Sequence, residues 1–158
     1  EETGSDLAAL IDRLENRLGP GRLYRLAPVE SDVPERAQRR AAPLGAFPAM
    51  PKPVCRGGMQ LRPPRLLAPP EPIETLAVLP DHPPARFVWR GTVHRIARAD
   101  GPERIFGEWW KRAAESEAVR DYFQLEDESG ARFWVFRAGN GEDAATGSQR
   151  WFLHGLFA

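Results

Sequence analysis

The chain is poor in cysteine. Among its 158 residues Cys55 stands alone, which excludes an internal disulfide and any cysteine-built zinc centre. A lone thiol fits a reducing compartment, and cytoplasmic residence is expected. No apolar run is long enough to span a membrane. The first residues, EETGSD, carry neither an initiating Met nor a secretory signal; they read as a cut end, the start of a piece of a longer protein. An excess of one charge is lacking too. The 22 Lys and Arg balance 22 Asp and Glu, so whole-chain charge argues neither for nor against a nucleic-acid partner.

Catalytic motifs are absent as well. The sequence has no glycine-rich phosphate loop, no nucleophile elbow and no pair of metal-spaced histidines. Phosphoryl transfer needs placed carboxylates together with phosphate-binding groups, and no such set is visible. The three histidines are His82, beside prolines, and His94 and His154, within strand-like runs. The last two could meet in space, but two histidines without a third ligand favour a structural role over a metal. The acidic run Glu126–Glu128 falls at a hairpin tip, where a solvated turn is the plainer reading than a divalent-ion site. No enzyme, no cofactor and no metal are expected.

Proline placement divides what is present. Of 16 prolines, 13 lie between Pro34 and Pro84, a stretch expected to form neither regular helix nor central strand. Before it, Leu7, Leu10, Ile11, Leu14 and Leu18 share one face of a helix, with Ser5 as its N-cap and Gly19-Pro20 as its stop. RLYRLAPV then reads as one strand. One helix and one strand cannot enclose a core, so residues 1–31 are expected to be half of a domain. Residues 32–70 read as a basic, extended linker, with 7 Lys and Arg against 2 Asp and Glu between Asp32 and Pro69. The more apolar stretch RPPRLLAPPEPIETLAVLP, at its end, is expected to lie on the C-terminal block.

Residues 71–158 carry strand signals. ARFVWRGTVHRIARA holds two β-prone runs around Arg90-Gly91, a tight hairpin turn. DYFQLEDESGARFWVFRAG repeats the plan, with strands at 121–125 and 131–137. Between the hairpins, GPERIFGEWWKRAAESEAVR is mixed in pattern, and Trp109 and Trp110 are expected to anchor a turn or short helix onto the sheet. RWFLHGLF supplies a last strand. The fold expected is mainly β: a small antiparallel barrel or rolled sheet at the C-terminus, preceded by one helix, one strand and the Pro-rich extended linker.

All five tryptophans lie after residue 88, interleaved with arginines. Three readings stay open. Tryptophan can fill a core too small to close with leucine, with arginine over its rim. The set can form a protein-binding face, where Trp and Arg carry much of the binding energy. It can also stack single-stranded bases while arginine neutralises phosphates, although Asp and Glu slightly outnumber Lys and Arg here. The candidate interaction residues are Trp89, Arg90, Trp109, Trp110, Trp134, Arg137, Trp151, Phe152 and His154.

Five stretches, in this order, carry a family resemblance: LIDRLENRLGPGRLYRLAPVESDVPERA, LRPPRLLAPPEPIE, ARFVWRGTVHRIARADGPERI with EWW, RDYFQLEDESGARFWVFR, and RWFLHGLFA. Together they resemble the C-terminal region of the ImuB family, the non-catalytic Y-family DNA polymerase-like subunits of the bacterial SOS mutagenesis cassette. The resemblance implies that residues 1–31 end a little-finger-like domain and that the rest is a small β-rich domain. It implies a role in translesion synthesis after DNA damage, with ImuA, an error-prone replicative-type polymerase and the sliding clamp as partners. No convincing clamp-binding peptide is present; Gln60-Leu61 is followed by Arg and two prolines, so clamp contact is assigned to regions outside this chain. The function expected is a protein-interaction module that tethers these partners at damaged DNA. The alternative is a single-stranded DNA-binding module built from the basic linker and the Trp/Arg-rich sheet.

Overall fold

The computed structural model describes residues 2–45, 62–77, 82–115 and 118–157. The chain divides into two compact units, Glu1–Cys55 and Arg56–Ala158. Part of the linker stretch, residues 46–61, lies outside the described residues.

In the first unit α1 (Glu2–Leu18) follows from the leucine spacing. It begins earlier than the sequence suggests, so Ser5 lies inside the helix rather than capping it. Its stop is as expected: the Gly19 amide bonds the Glu15 carbonyl at 2.8 Å with φ of 94°, a left-handed ending that suits glycine. Along the apolar stripe Ile11 and Leu14 are half-buried, while Leu7, Leu10 and Leu18 stay about half exposed. The strand expected at RLYRLAPV is β1 (Arg25–Pro28). It pairs antiparallel with β2 (Gln38–Ala41), a strand that the sequence hides because its side chains are charged and exposed rather than alternating.

The second unit is mainly β. Its strands are β3 (Arg65–Leu76), β4 (Arg86–Trp89), β5 (Thr92–Phe106), β6 (Val119–Asp127), β7 (Arg132–Ala138) and β8 (Trp151–Leu156). All neighbours are antiparallel, and β8 returns to pair with β3, so the strands form a closed ring. This is the rolled sheet expected, and it answers why so apolar a segment as RWFLHGLF is kept: Trp151 and Leu153 point into the core while the backbone closes the ring.

Two expectations need correction. The Pro-rich stretch does form a strand with partners on both sides, namely β3. Pro69 and Pro70 fall inside the register shift between Leu66 and Glu71, where the β8 ladder makes no demand for their missing amides, and Pro72 precedes the β4 pairing that begins at Glu74. The segment GPERIF is not part of a mixed connection. It prolongs β5, past a second shift between Asp100 and Glu103 that absorbs Gly101-Pro102.

The hairpin turn at Arg90-Gly91 has φ of 49° and 80°. Two successive positive values match the twist of the flanking strands. Side chains then alternate between two clusters. Ile73, Phe87, Phe123, Leu125, Phe133, Val135, Trp151 and Leu153 form one; Ile105, Tyr122, Trp134 and Phe136 form the other. The second cluster is roofed by guanidinium groups, with Arg62 5.1 Å from the Trp134 ring centre and Arg120 5.0 Å from that of Phe136. Because β6 and β7 are buried on both faces, truncating one of their aromatic residues to Ala removes about 3–5 kcal/mol.

A candidate protein-interaction site

β5 ends at Phe106, and the chain then makes a short loop before β6. The amide of Gly107 bonds the Ala118 carbonyl at 2.8 Å and shuts the base of that loop. No side chain fits at position 107, since a Cβ would stand 2.5 Å from the Glu115 carbonyl oxygen. Next comes Glu108, only 1% exposed. Its carboxylate takes the Lys111 ammonium at 2.8 Å, its carbonyl accepts the Lys111 and Arg112 amides, and its own amide donates to the Glu115 carboxylate at 3.1 Å. Arg112 faces Glu115 at 3.8 Å.

The usual burial order is therefore reversed. The acidic side chain goes in, and Trp109 and Trp110, at 62% and 61% exposure, go out, joined by Phe106 at 62%. The tryptophan rings stand edge to face, 6.0 Å apart at 86°, the arrangement aromatic quadrupoles favour. The expected anchoring of these rings onto the sheet is thus corrected, because Glu108 and not tryptophan makes the anchor. Three large exposed aromatics in five positions form an apolar knob of the kind that marks an interaction site. The flanking cations, Lys111 and Arg112, are already matched by Glu108 and Glu115.

The other candidate residues are scattered. Trp89 and Arg90 are held at the β4–β5 tip by Glu71, which accepts the Trp89 indole N–H at 2.8 Å and the Arg90 guanidinium at 3.0 and 2.5 Å. The Arg90 bond, with help from Trp89, holds the Glu71 carboxyl below its ordinary range. Arg90 also covers the Trp89 ring at 4.8 Å. Phe152 is half-buried and stacks on Phe136 at 5.1 Å. Trp134, Trp151, Arg137 and His154 are buried. Arg137 belongs to a buried group in which Asp121 takes Arg104 at 2.7 and 2.9 Å and Arg137 at 2.9 Å.

His94 and His154 do not meet. His94 stacks on Phe87 of the first cluster and bonds the Asp127 carboxylate at 2.8 Å. His154 stacks on Trp134 of the second and bonds the Tyr122 hydroxyl at 2.8 Å. The middle residue of the acidic run is not solvated either. Asp127 is buried and accepts the Ser129 amide and hydroxyl and the Ala131 amide at 2.9, 2.6 and 3.0 Å. Burial alone pushes its carboxyl up, but the bonds from His94, Ser129 and Ala131 together prevail and bring it down to about 2. Among the described residues no three His, Cys, Asp or Glu are placed to hold a metal ion, and no helix is long and apolar enough to cross a membrane.

Sequence reasoning misses Phe106, Glu108, Glu115 and Glu71. The signal for Glu108 is local: an acid wedged between glycine and two tryptophans reads as solvated unless the turn around it is known.

Residues 70–157 match the family described as Domain of unknown function (DUF6504). Two curated relatives, both named Protein ImuB, come from Caulobacter vibrioides strains NA1000 / CB15N and ATCC 19089 / CIP 103742 / CB 15. Each is 48% identical over 160 residues, covering 96% of this chain and 33% of the relative. The chain therefore spans about a third of the length of the curated relatives it matches. No solved structure matches it.

Proposed function

The chain belongs to the DUF6504 family, and from that premise, with its likeness to the C-terminal region of ImuB, we propose that it is a non-catalytic protein-interaction module of a translesion DNA synthesis accessory subunit. One observation carries this reading: the Phe106, Trp109 and Trp110 knob is exposed on a loop whose neighbouring charges are matched internally. Large aromatics that a fold leaves in water, on a base rigid enough to present them, are what a partner groove can bury.

The partners proposed are ImuA and an error-prone replicative-type polymerase, with the sliding clamp engaged through other parts of the longer protein. The mechanism is tethering. Linkage of modules in one chain raises the effective concentration of each partner at the damaged template.

Pull-down of the purified chain against each partner is the direct test. Capture of either by the parent, and its loss in W109A/W110A, is the result expected. A folded chain that captures neither overturns the proposal.

A further inference from the structure

Arg86 and Arg95 stand directly opposite each other across the β4–β5 pair. Opposed side chains on a sheet begin only about 5 Å apart, and like charges there repel. Neighbouring arginines have carboxylate partners: Arg90 has Glu71 and Arg98 has Asp100. Arg86 and Arg95 have none among the described residues.

Both border a cleft of about 540 Å³ that is also lined by Thr92, His94, Asp127, Glu128 and Ser129. The Nε2 atom of His94 is buried and without a hydrogen-bond partner, while its Nδ1 is engaged by Asp127. Asp127 is not free to neutralise the arginines, since one of its oxygens holds His94 and the other holds Ser129 and Ala131. Glu128 is the remaining acid at the rim, exposed, with its amide tied to the Arg95 carbonyl at 3.0 Å.

We propose that this cleft binds a phosphate monoester, whose dianion bridges Arg86 and Arg95. Two opposed guanidinium forks offer more donors than one carboxylate accepts. A monoester brings three free oxygens and close to two negative charges at neutral pH, which matches two unpaired cations. The cleft's volume lies within the range of small-ligand sites. No exposed aromatic lines it, so it recognises the phosphate and not a base. The site is separate from the aromatic knob and does not depend on it.

The test uses the full chain and follows the arginine Nε–H resonances by NMR during titration with inorganic phosphate, thymidine monophosphate, and a ten-residue oligothymidylate with and without a 5′-phosphate. The expected result is selective movement of the Arg86 and Arg95 signals by inorganic phosphate. The 5′-phosphorylated strand or the mononucleotide should bind at least about fivefold more tightly than the 5′-hydroxyl strand, and whichever of the two is favoured names the source. R86Q/R95Q should weaken binding at least about tenfold without lowering Tm, because it relieves a repulsion. R98Q should stay within about twofold of the parent, and E128Q should bind more tightly. Binding of both the 5′-phosphorylated strand and the mononucleotide no tighter than that of the 5′-hydroxyl strand overturns the proposal, as does equal binding of a tetraglutamate peptide, an equal loss in R98Q, or a double variant that binds like the parent.

Discussion

Glu108 and Lys111 are joined by a 2.8 Å ion pair at the foot of the loop that turns Trp109 and Trp110 outward. The Glu108 side chain is 2% exposed and that of Lys111 47%. The pair ties a buried acid to a solvent-facing cation.

Replacing both exposed tryptophans leaves folding almost untouched. W109A/W110A removes rings that are mostly in water, so its stability should stay within about 0.5 kcal/mol of the parent. Partner affinity should fall by roughly 2 kcal/mol or more, as for hot-spot aromatics. Thermal melts beside binding isotherms check this, and binding within error of the parent rejects the knob.

E108A should behave in the opposite order. It deletes a charge-assisted bond to Lys111 and unseats the loop, for about 1.5–3 kcal/mol of stability. Partner binding should fall with it although no partner-facing atom is changed. Urea denaturation compared with the double tryptophan variant separates the two effects.

D121N tests the buried charge group. Asp121 is fully buried between Arg104 and Arg137, and its hydrogen bond to Arg104 holds that guanidinium above its ordinary range. Neutralising the acid leaves Arg137 charged in the interior. Breaking one side of a buried pair costs roughly 3–5 kcal/mol, enough to unfold a domain of this size at ordinary temperature. Loss of near-UV dichroism at 25 °C is the expected signature.

Acid stability should depend on Asp127. Its folded carboxyl titrates at about 2, below the roughly 3.9 of an unfolded aspartate. A lowered folded value means that the contribution is complete above the unfolded value and is lost as pH falls through the folded one. It should hold steady from pH 7 to about 5, then decline toward pH 2, with a total of about 2–3 kcal/mol. D127N should lower stability at neutral pH and flatten this part of the profile, as read by denaturant midpoints at several pH values.

Strands with β-branched and aromatic alternation, and the tight turn at Arg90-Gly91, were legible because their signals are local. The leucine helix was legible for the same reason. β2 was not, because Gln38, Arg39 and Arg40 are exposed and leave no alternation to read. β3 was hidden by its prolines, whose tolerance rests on a register shift set by β8, more than 80 positions away in the chain. The candidate site was half visible. Trp109 and Trp110 stood out by type, but their outward direction is decided by the burial of Glu108, which requires Glu115 and Gly107 to be in place first. Trp134, Trp151, Arg137 and His154 were interior because β6, β7 and β8 are covered on both faces, a property of the closed sheet and not of any one segment.

The pairing of β8 with β3 also sets a timetable. Residues 65–66 and 71–73 wait for 151–156 before that seam can form, so during synthesis on the ribosome the earlier strands emerge with one margin unpaired. Assembly should be slow for a unit of this length, since its decisive contact joins such distant positions. Nascent chains halted before position 151 should be bound by holding chaperones and cut readily by protease, and those that have cleared position 156 should be released.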